Sequence, residues 1–173
     1  MRPPQIRDQG GVLIVTLDDP AAVYANRGLA GIDGMVSTAV GIALTRDRPT
    51  HALMGDLTLL HDAGGLVIGP SEPRPDLRVV VANDDGGSIF ATLEQGRPEH
   101  QAAFERIFGT PHGASFEALA AVSGARYQRV RSTAELAAVL EEPPVGVELV
   151  EAVVDRSQRR TLATAVTAIA ATL

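Results

Sequence analysis

Apolar residues gather in short continuous runs at residues 12–17, 51–54, 77–82 and 145–153, with a weaker one at 126–130. Each has the length of a buried strand. Between and around them, apolar positions recur at helical spacing over residues 35–44, 57–67, 116–123, 134–140 and 156–172. Strands that are apolar throughout are buried on both faces, and alternation with helices implies parallel pairing. The pattern therefore predicts an α/β fold: a three-layer α/β/α arrangement with a mainly parallel central sheet. In such folds ligands sit beyond the carboxyl ends of the strands. The residues just after each run are the ones to examine.

Two stretches fall outside the pattern. Residues 69–75, GPSEPRP, read as a surface excursion. Residues 94–113 are polar and irregular, as expected of a loop over a site. The N-terminus is proline-rich and polar, so a first sheet strand is poorly marked there.

Composition narrows the function. A chain of 173 residues suits one domain with a sizeable core. Its longest apolar run falls short of the roughly 20 residues of a membrane span. MRPPQIRDQG contains no apolar segment of a secretory signal, and cysteine is absent, which excludes disulfides and zinc-thiolate sites. A cytoplasmic protein is the expectation. Net charge is −6, aromatics make up 3%, and no basic stripe is present, so nucleic acid is a poor partner. Every basic residue is arginine. Without lysine there is no Schiff-base chemistry and no P-loop lysine. Arginine instead suits bidentate recognition of carboxylate or phosphate.

Three glycine-rich clusters stand beside apolar segments: NRGLAGIDG (26–34), GDLTLLHDAGG (55–65) and NDDGGSIF (83–90). Glycines at strand-to-helix turns let backbone N–H groups approach an anion. Acidic and amide oxygens in the same turns suit Mg²⁺. Asp56 and the group 83–85 follow two runs expected to be neighbouring strands, and together would form a diphosphate–metal site. The competing reading is structural: an Asp after a strand often only caps a helix, for about 1 kcal/mol, and Asn-Asp-Asp-Gly-Gly can be an ordinary turn. His51, His61, His100 and His112 lie near no nucleophile elbow, and no catalytic triad is evident. His61 reads as a helix-surface residue and His112 as a turn residue. Gly28, Gly31 and Gly34 are spaced by threes and lack the first pair of a dinucleotide fingerprint.

Gly55-Asp56 followed by Asn83-Asp84 resembles the thiamine-diphosphate motif. NRGLAGIDG, GDLTLLHD, NDDGGSIFATLEQG (83–96) and IFGTPHG (107–113), in this order, resemble more narrowly the family of SEPHCHC synthases, the menaquinone-pathway 2-succinyl-5-enolpyruvyl-6-hydroxy-3-cyclohexene-1-carboxylate synthases. The likeness runs from about Arg7 to the C-terminus. Family chains are roughly three times longer, so residues 1–173 resemble the last, diphosphate-binding domain alone, without the pyrimidine-binding and central domains. The resemblance implies Mg²⁺ or Mn²⁺ held by Asp56, Asp84 and the backbone carbonyl of Gly86. Many relatives carry Asn at the position of Asp84, which leaves Asn83 and Asp85 as alternative ligands. It implies backbone contacts to the diphosphate from Gly55, Leu57 and Gly87, with Asn83 also on the cofactor. Ile32 would prop the cofactor into its bent form. Arg7 and Arg27 would take substrate carboxylates, and Ile89, Phe90 and Leu93 would wall the substrate pocket.

The implied activity of the complete enzyme is decarboxylation of 2-oxoglutarate and addition of the succinyl-semialdehyde carbanion to isochorismate. The glutamate that starts this chemistry belongs to a pyrimidine-binding domain of the same or a partner subunit, so no catalytic residue is expected here. The chain alone is expected to be inactive and, with interface exposed, to form a homo-oligomer. Pro3 replaces a family serine before Arg7, and the strand usually preceding it is missing, which fits a piece of something longer. The alternatives are the same domain of another thiamine-diphosphate 2-oxoacid decarboxylase or synthase, and a degenerate, non-catalytic assembly module.

Overall fold

The computed structural model describes residues 5–9, 12–16, 23–25, 31–46 and 48–170. Its centre is a four-stranded parallel sheet of β3 (Thr50–Gly55), β4 (Leu77–Asn83), β5 (Arg126–Val130) and β6 (Val147–Val153), in the order β3-β4-β6-β5. The two central strands are buried almost throughout, which explains their unbroken apolar runs. β4 and β6 register Leu77 with Val147, Val79 with Leu149 and Val81 with Glu151.

One face of the sheet packs against α1 (Met35–Thr45), α2 (Asp56–His61) and α4 (Phe116–Ser123). This side holds the larger core, with Val36, Leu59, Leu66, Leu77, Val79, Val81, Phe116 and Leu149. Each large side chain fully buried there contributes about 1.5–3 kcal/mol. The opposite face is covered by α5 (Thr133–Glu141), whose Leu136, Val139 and Leu140 pack on Val80, Val130 and Val150. The predicted three-layer α/β/α fold with a parallel sheet is present. Both α4 and α5 begin at serines whose side chains accept an amide hydrogen bond: Ser115 from Ala118 and Ser132 from Glu135.

Several boundaries differ from the sequence pattern for local reasons. The expected helix over 57–67 divides into α2 and a 3₁₀ turn at Ala63–Leu66. Gly64-Gly65 weakens the helix there, and a Cβ on Gly65 would lie 2.8 Å from the Ser37 nitrogen. The final strand starts at Val147, because Gly146 adopts φ 67° two residues after Pro143-Pro144. The last helix, α6 (Arg159–Ala170), begins three residues later than expected, after Asp155 accepts the Ser157 N–H and Oγ–H in a local turn. Residues 94–113 hold short 3₁₀ pieces, the four-residue α3 (Gln101–Phe104) and a π-turn over Glu105–Gly109.

The N-terminal run is the main correction. Val12–Thr16 (β2) does not join the parallel sheet but pairs antiparallel with Gln5–Gln9 (β1), placing Arg7 opposite Ile14. Gly10-Gly11 separates the two strands in sequence, a dipeptide suited to a two-residue hairpin connection. That local pairing wins over membership of the sheet.

Candidate active site at the carboxyl edge of the sheet

β3 and β4 are parallel neighbours, so Gly55 and Ala82 are in register and both chains leave the sheet at the same edge. Asp56 follows at once. It is not the cap of α2: Gly55 holds that position in extended conformation, and Asp56 is the first helical residue. Its carboxylate is 3% exposed as a residue and gathers three partners. Oδ1 accepts the Leu57 N–H at 2.6 Å, Oδ2 accepts the Gly86 N–H at 2.8 Å, and His112 Nε2 lies 3.2 Å from Oδ2. The Gly86 bond ties the β3 turn to the β4 turn.

The β4 turn sorts its three polar residues into different tasks. Asn83 is turned into the fold, where Nδ2 donates to Glu151 Oε1 at 2.7 Å and Oδ1 accepts the Asp85 N–H at 3.0 Å. Asp85 adopts φ 59°, and its Oδ1 accepts the His112 and Gly113 amides at 3.1 and 2.8 Å. Those amides, the Gly113 one foremost, hold its carboxyl below the ordinary range. Among the described residues Asp84 accepts a single hydrogen bond, from Ser88 Oγ. Burial pushes its pKa up and the Asp56 charge adds to the rise, against the Ser88 bond, Arg156 and Arg159. Among the described residues no arginine is hydrogen-bonded to Asp56 or Asp84.

The turn is built on backbone approach. Gly86 has φ 136°, and a Cβ there would meet the Gly109 carbonyl oxygen at 2.0 Å. A Cβ on Gly87 would meet the Phe108 oxygen at 2.4 Å, and the Gly87 N–H donates to the Gly109 carbonyl at 2.8 Å. Thr110, at φ 40°, is the other described non-glycine residue besides Asp85 in the left-handed region. Both lie in this contact, the sort of place where strain concentrates. Arg156, beyond β6, donates to the Asp85 carbonyl at 3.2 Å and to Glu105 Oε2 at 2.6 Å, closing the site from a third strand end.

Of the sequence candidates, Asp56, Asp84, Gly86 and Gly87 come together, with Gly55 and Leu57 alongside. The Leu57 and Gly87 amides already have protein acceptors. Ile89 and Phe90 are exposed in the 3₁₀ turn Ser88–Thr92, and Leu93 follows it, also exposed. Ile32 is exposed before α1. Arg27 lies outside the described residues, and of Arg7 only the backbone is described. His112, expected as a turn residue, reaches the central carboxylate. Glu151, hidden inside an apolar strand, orients Asn83. The one signal for His112 was its place in IFGTPHG.

The donor types suit a hard divalent cation: two carboxylates, the charge of Asp56 being one of the influences that disfavour ionisation of Asp84, in turns joined by the Gly86 N–H. Among the described residues no three His, Asp or Glu side chains form a metal cluster on their own. No helix among them is long and apolar enough to cross a membrane.

The family model of the thiamine pyrophosphate enzyme C-terminal TPP binding domain matches residues 11–148. A 2-succinyl-5-enolpyruvyl-6-hydroxy-3-cyclohexene-1-carboxylate synthase from Nocardioides sp. is 59% identical over 142 residues, covering 81% of this chain and 26% of that protein. The same-named protein of Paenarthrobacter aurescens is 57% identical, covering 82% and 26%. The chain thus spans about a quarter of the length of these curated relatives. Benzoylformate decarboxylase from Polynucleobacter necessarius, a crystal structure, superposes with TM-score 0.54 over 70% of this chain and 23% of its own at 22% identity, a likeness of fold alone.

Proposed function

The chain belongs to the family of thiamine pyrophosphate enzyme C-terminal TPP binding domains, and from that premise we propose that it is the diphosphate- and metal-binding domain of a cytoplasmic 2-succinyl-5-enolpyruvyl-6-hydroxy-3-cyclohexene-1-carboxylate synthase. The observation that carries the site is the 2.8 Å hydrogen bond from the Gly86 N–H to Asp56 Oδ2, which joins the Asp56 and Asp84 turns at one sheet edge, where burial foremost, and then the Asp56 charge, raise the Asp84 pKa. A bound Mg²⁺ or Mn²⁺ would relieve that opposition. The relatives' names support the substrate assignment, 2-oxoglutarate and isochorismate.

In this reading Asp56, Asp84 and the Gly86 carbonyl hold the cation. Gly55, Leu57, Asn83 and Gly87 border the diphosphate. The Leu57 N–H, now given to Asp56, would be shared with or exchanged for a phosphate oxygen. Ile32 supports the cofactor ring, and the exposed Ile89, Phe90 and Leu93 form an apolar wall that excludes water from the substrate. Arg7 and Arg27 take the carboxylates of the substrates. Thiamine diphosphate, when bound, supplies the electron sink for decarboxylation and transfer of the four-carbon unit. The protein groups orient and neutralise; the initiating glutamate comes from a pyrimidine-binding domain in a homo-oligomer, and this chain alone is inactive.

The test is calorimetric titration of thiamine diphosphate with Mg²⁺ into the intact protein and into Asp56→Ala. Loss of a direct ligand exceeds the roughly 10–100-fold that outlying hydrogen-bond partners of a metal site cost. Affinity in Asp56→Ala within threefold of the wild type would remove Asp56 from the site.

A further inference from the structure

Asp56 is gripped from behind by a residue outside the metal and diphosphate set. His112 Nδ1 accepts the Ala114 N–H at 2.9 Å, so that nitrogen carries no proton. The proton of the neutral ring is then on Nε2, which donates to Asp56 Oδ2 at 3.2 Å. The backbone thus selects the tautomer. The ring is mostly buried, with its centroid 5.7 Å from that of Phe116 at the start of α4. Its own N–H donates to Asp85 Oδ1, so one residue of the 109–114 loop holds both acidic turns.

The consequence lies in the division of the Asp56 oxygens. Oδ2 receives two donors, Gly86 N–H and His112 Nε2–H. Oδ1 receives one, the Leu57 N–H. A carboxylate oxygen accommodates about two hydrogen bonds or ligands. Resting on the metal reading above, we propose that His112 is a positioning residue: with the Gly86 amide it saturates Oδ2, so that Asp56 meets the divalent cation through Oδ1 alone. Partners that orient metal-binding carboxylates are worth roughly 10–100-fold in affinity.

The experiment is Mn²⁺ titration of the intact protein with thiamine diphosphate present, following free Mn²⁺ by electron paramagnetic resonance, for wild type, His112→Phe and His112→Gln. Phenylalanine keeps the ring volume and deletes the donor, and Mn²⁺ affinity is expected to fall about 10–100-fold. The Gln amide nitrogen reaches the place of Nε2 and should restore affinity to within about threefold of the wild type. Phe binding as tightly as wild type, or Gln weakened as much as Phe, overturns the role of the donor. If the Phe variant does not fold, His112→Asn replaces it with the same two outcomes, because its amide sits near Nδ1 and falls short of Asp56. Wild-type protein that takes up no Mn²⁺ would instead defeat the metal reading, and this inference with it.

Discussion

The two ends of the same sheet treat buried carboxylates in opposite ways. At the amino end, Glu148 on β6 meets Arg78 Nε on β4 at 2.8 Å, accepts the Val145 N–H at 3.0 Å and pairs with Arg126 of β5. Arg78 Nη1 donates to both the Val139 and Glu142 carbonyls, at 2.6 and 2.8 Å. Midway along, Glu151 accepts from Tyr127, Asn83 and Arg129. Burial is the largest single influence on both glutamates and pushes each pKa up, yet the bonded donors together outweigh it and both end below the ordinary range. At the carboxyl end, Asp84 ends above it, with Asp56 as an adverse neighbour. Neutralised acids hold strands together. Among the described residues Asp56 and Asp84 have no arginine bonded to them, which leaves them poised for a cation the protein does not itself supply.

The largest effect should come from breaking the balanced end. Arg78→Ala leaves the buried Glu148 with the Val145 N–H and the exposed Arg126, and frees two carbonyls of the α5 segment. Removing one member of a buried pair costs about 3–5 kcal/mol. Chemical denaturation should show that loss, with the Mn²⁺ affinity of the remaining folded protein unchanged. A loss under 1 kcal/mol would mean that the network is ornamental and the contrast between the ends false.

Next comes the backbone of the unbalanced end. In Gly86→Ala the new Cβ would sit 2.0 Å from the Gly109 carbonyl oxygen in a conformation that L residues avoid. Strain and overpacking each cost about 1–3 kcal/mol, so a destabilisation of about 3 kcal/mol is expected. Because the Gly86 N–H is bonded to Asp56, pushing the turn away from Gly109 displaces that bond, and metal affinity should fall together with stability, unlike in Arg78→Ala. Thermal melts with and without Mn²⁺ separate the two patterns.

That difference also marks what could be read from the residues alone. The strands, α1, α4 and the three-layer fold were legible because burial on both faces leaves apolar runs such as Val79-Val80-Val81. The pairing of the Asp56 turn with the Asn83–Gly87 turn was legible from adjacency of the two runs. The ionic network was not: Arg78, Glu148 and Glu151 sit inside runs whose apolar neighbours masked them, and only the cross-strand register brings them together. His112 was hidden for a related reason. Its partner is 56 residues away, and a loop histidine carries no periodicity to reveal its direction. The β1–β2 hairpin was missed because an isolated apolar run does not announce whether it joins a sheet or a local partner.

The smallest effect is the sharpest probe of the contrast. Asp84→Asn keeps an oxygen for Ser88 and for a cation but deletes the opposing charge, so the metal-free protein should gain stability, by up to about 1 kcal/mol. Since the native Asp84 pKa is raised, its ionisation disfavours the folded state; that penalty is complete above the native pKa and disappears as the pH falls towards the unfolded value of about 3.9. The advantage of Asp84→Asn should therefore be full at neutral pH and vanish in acid. Glu148 and Glu151 have the opposite sign: their support is complete above about pH 4.3 and is lost as the pH drops through their depressed native values. Melting temperatures of wild type and Asp84→Asn from neutral pH down to about 3.5 should converge while both decline. Curves that stay parallel would show that the Asp84 charge is not opposed in the folded protein, and the carboxyl edge would lose its electrostatic reason for taking up a metal.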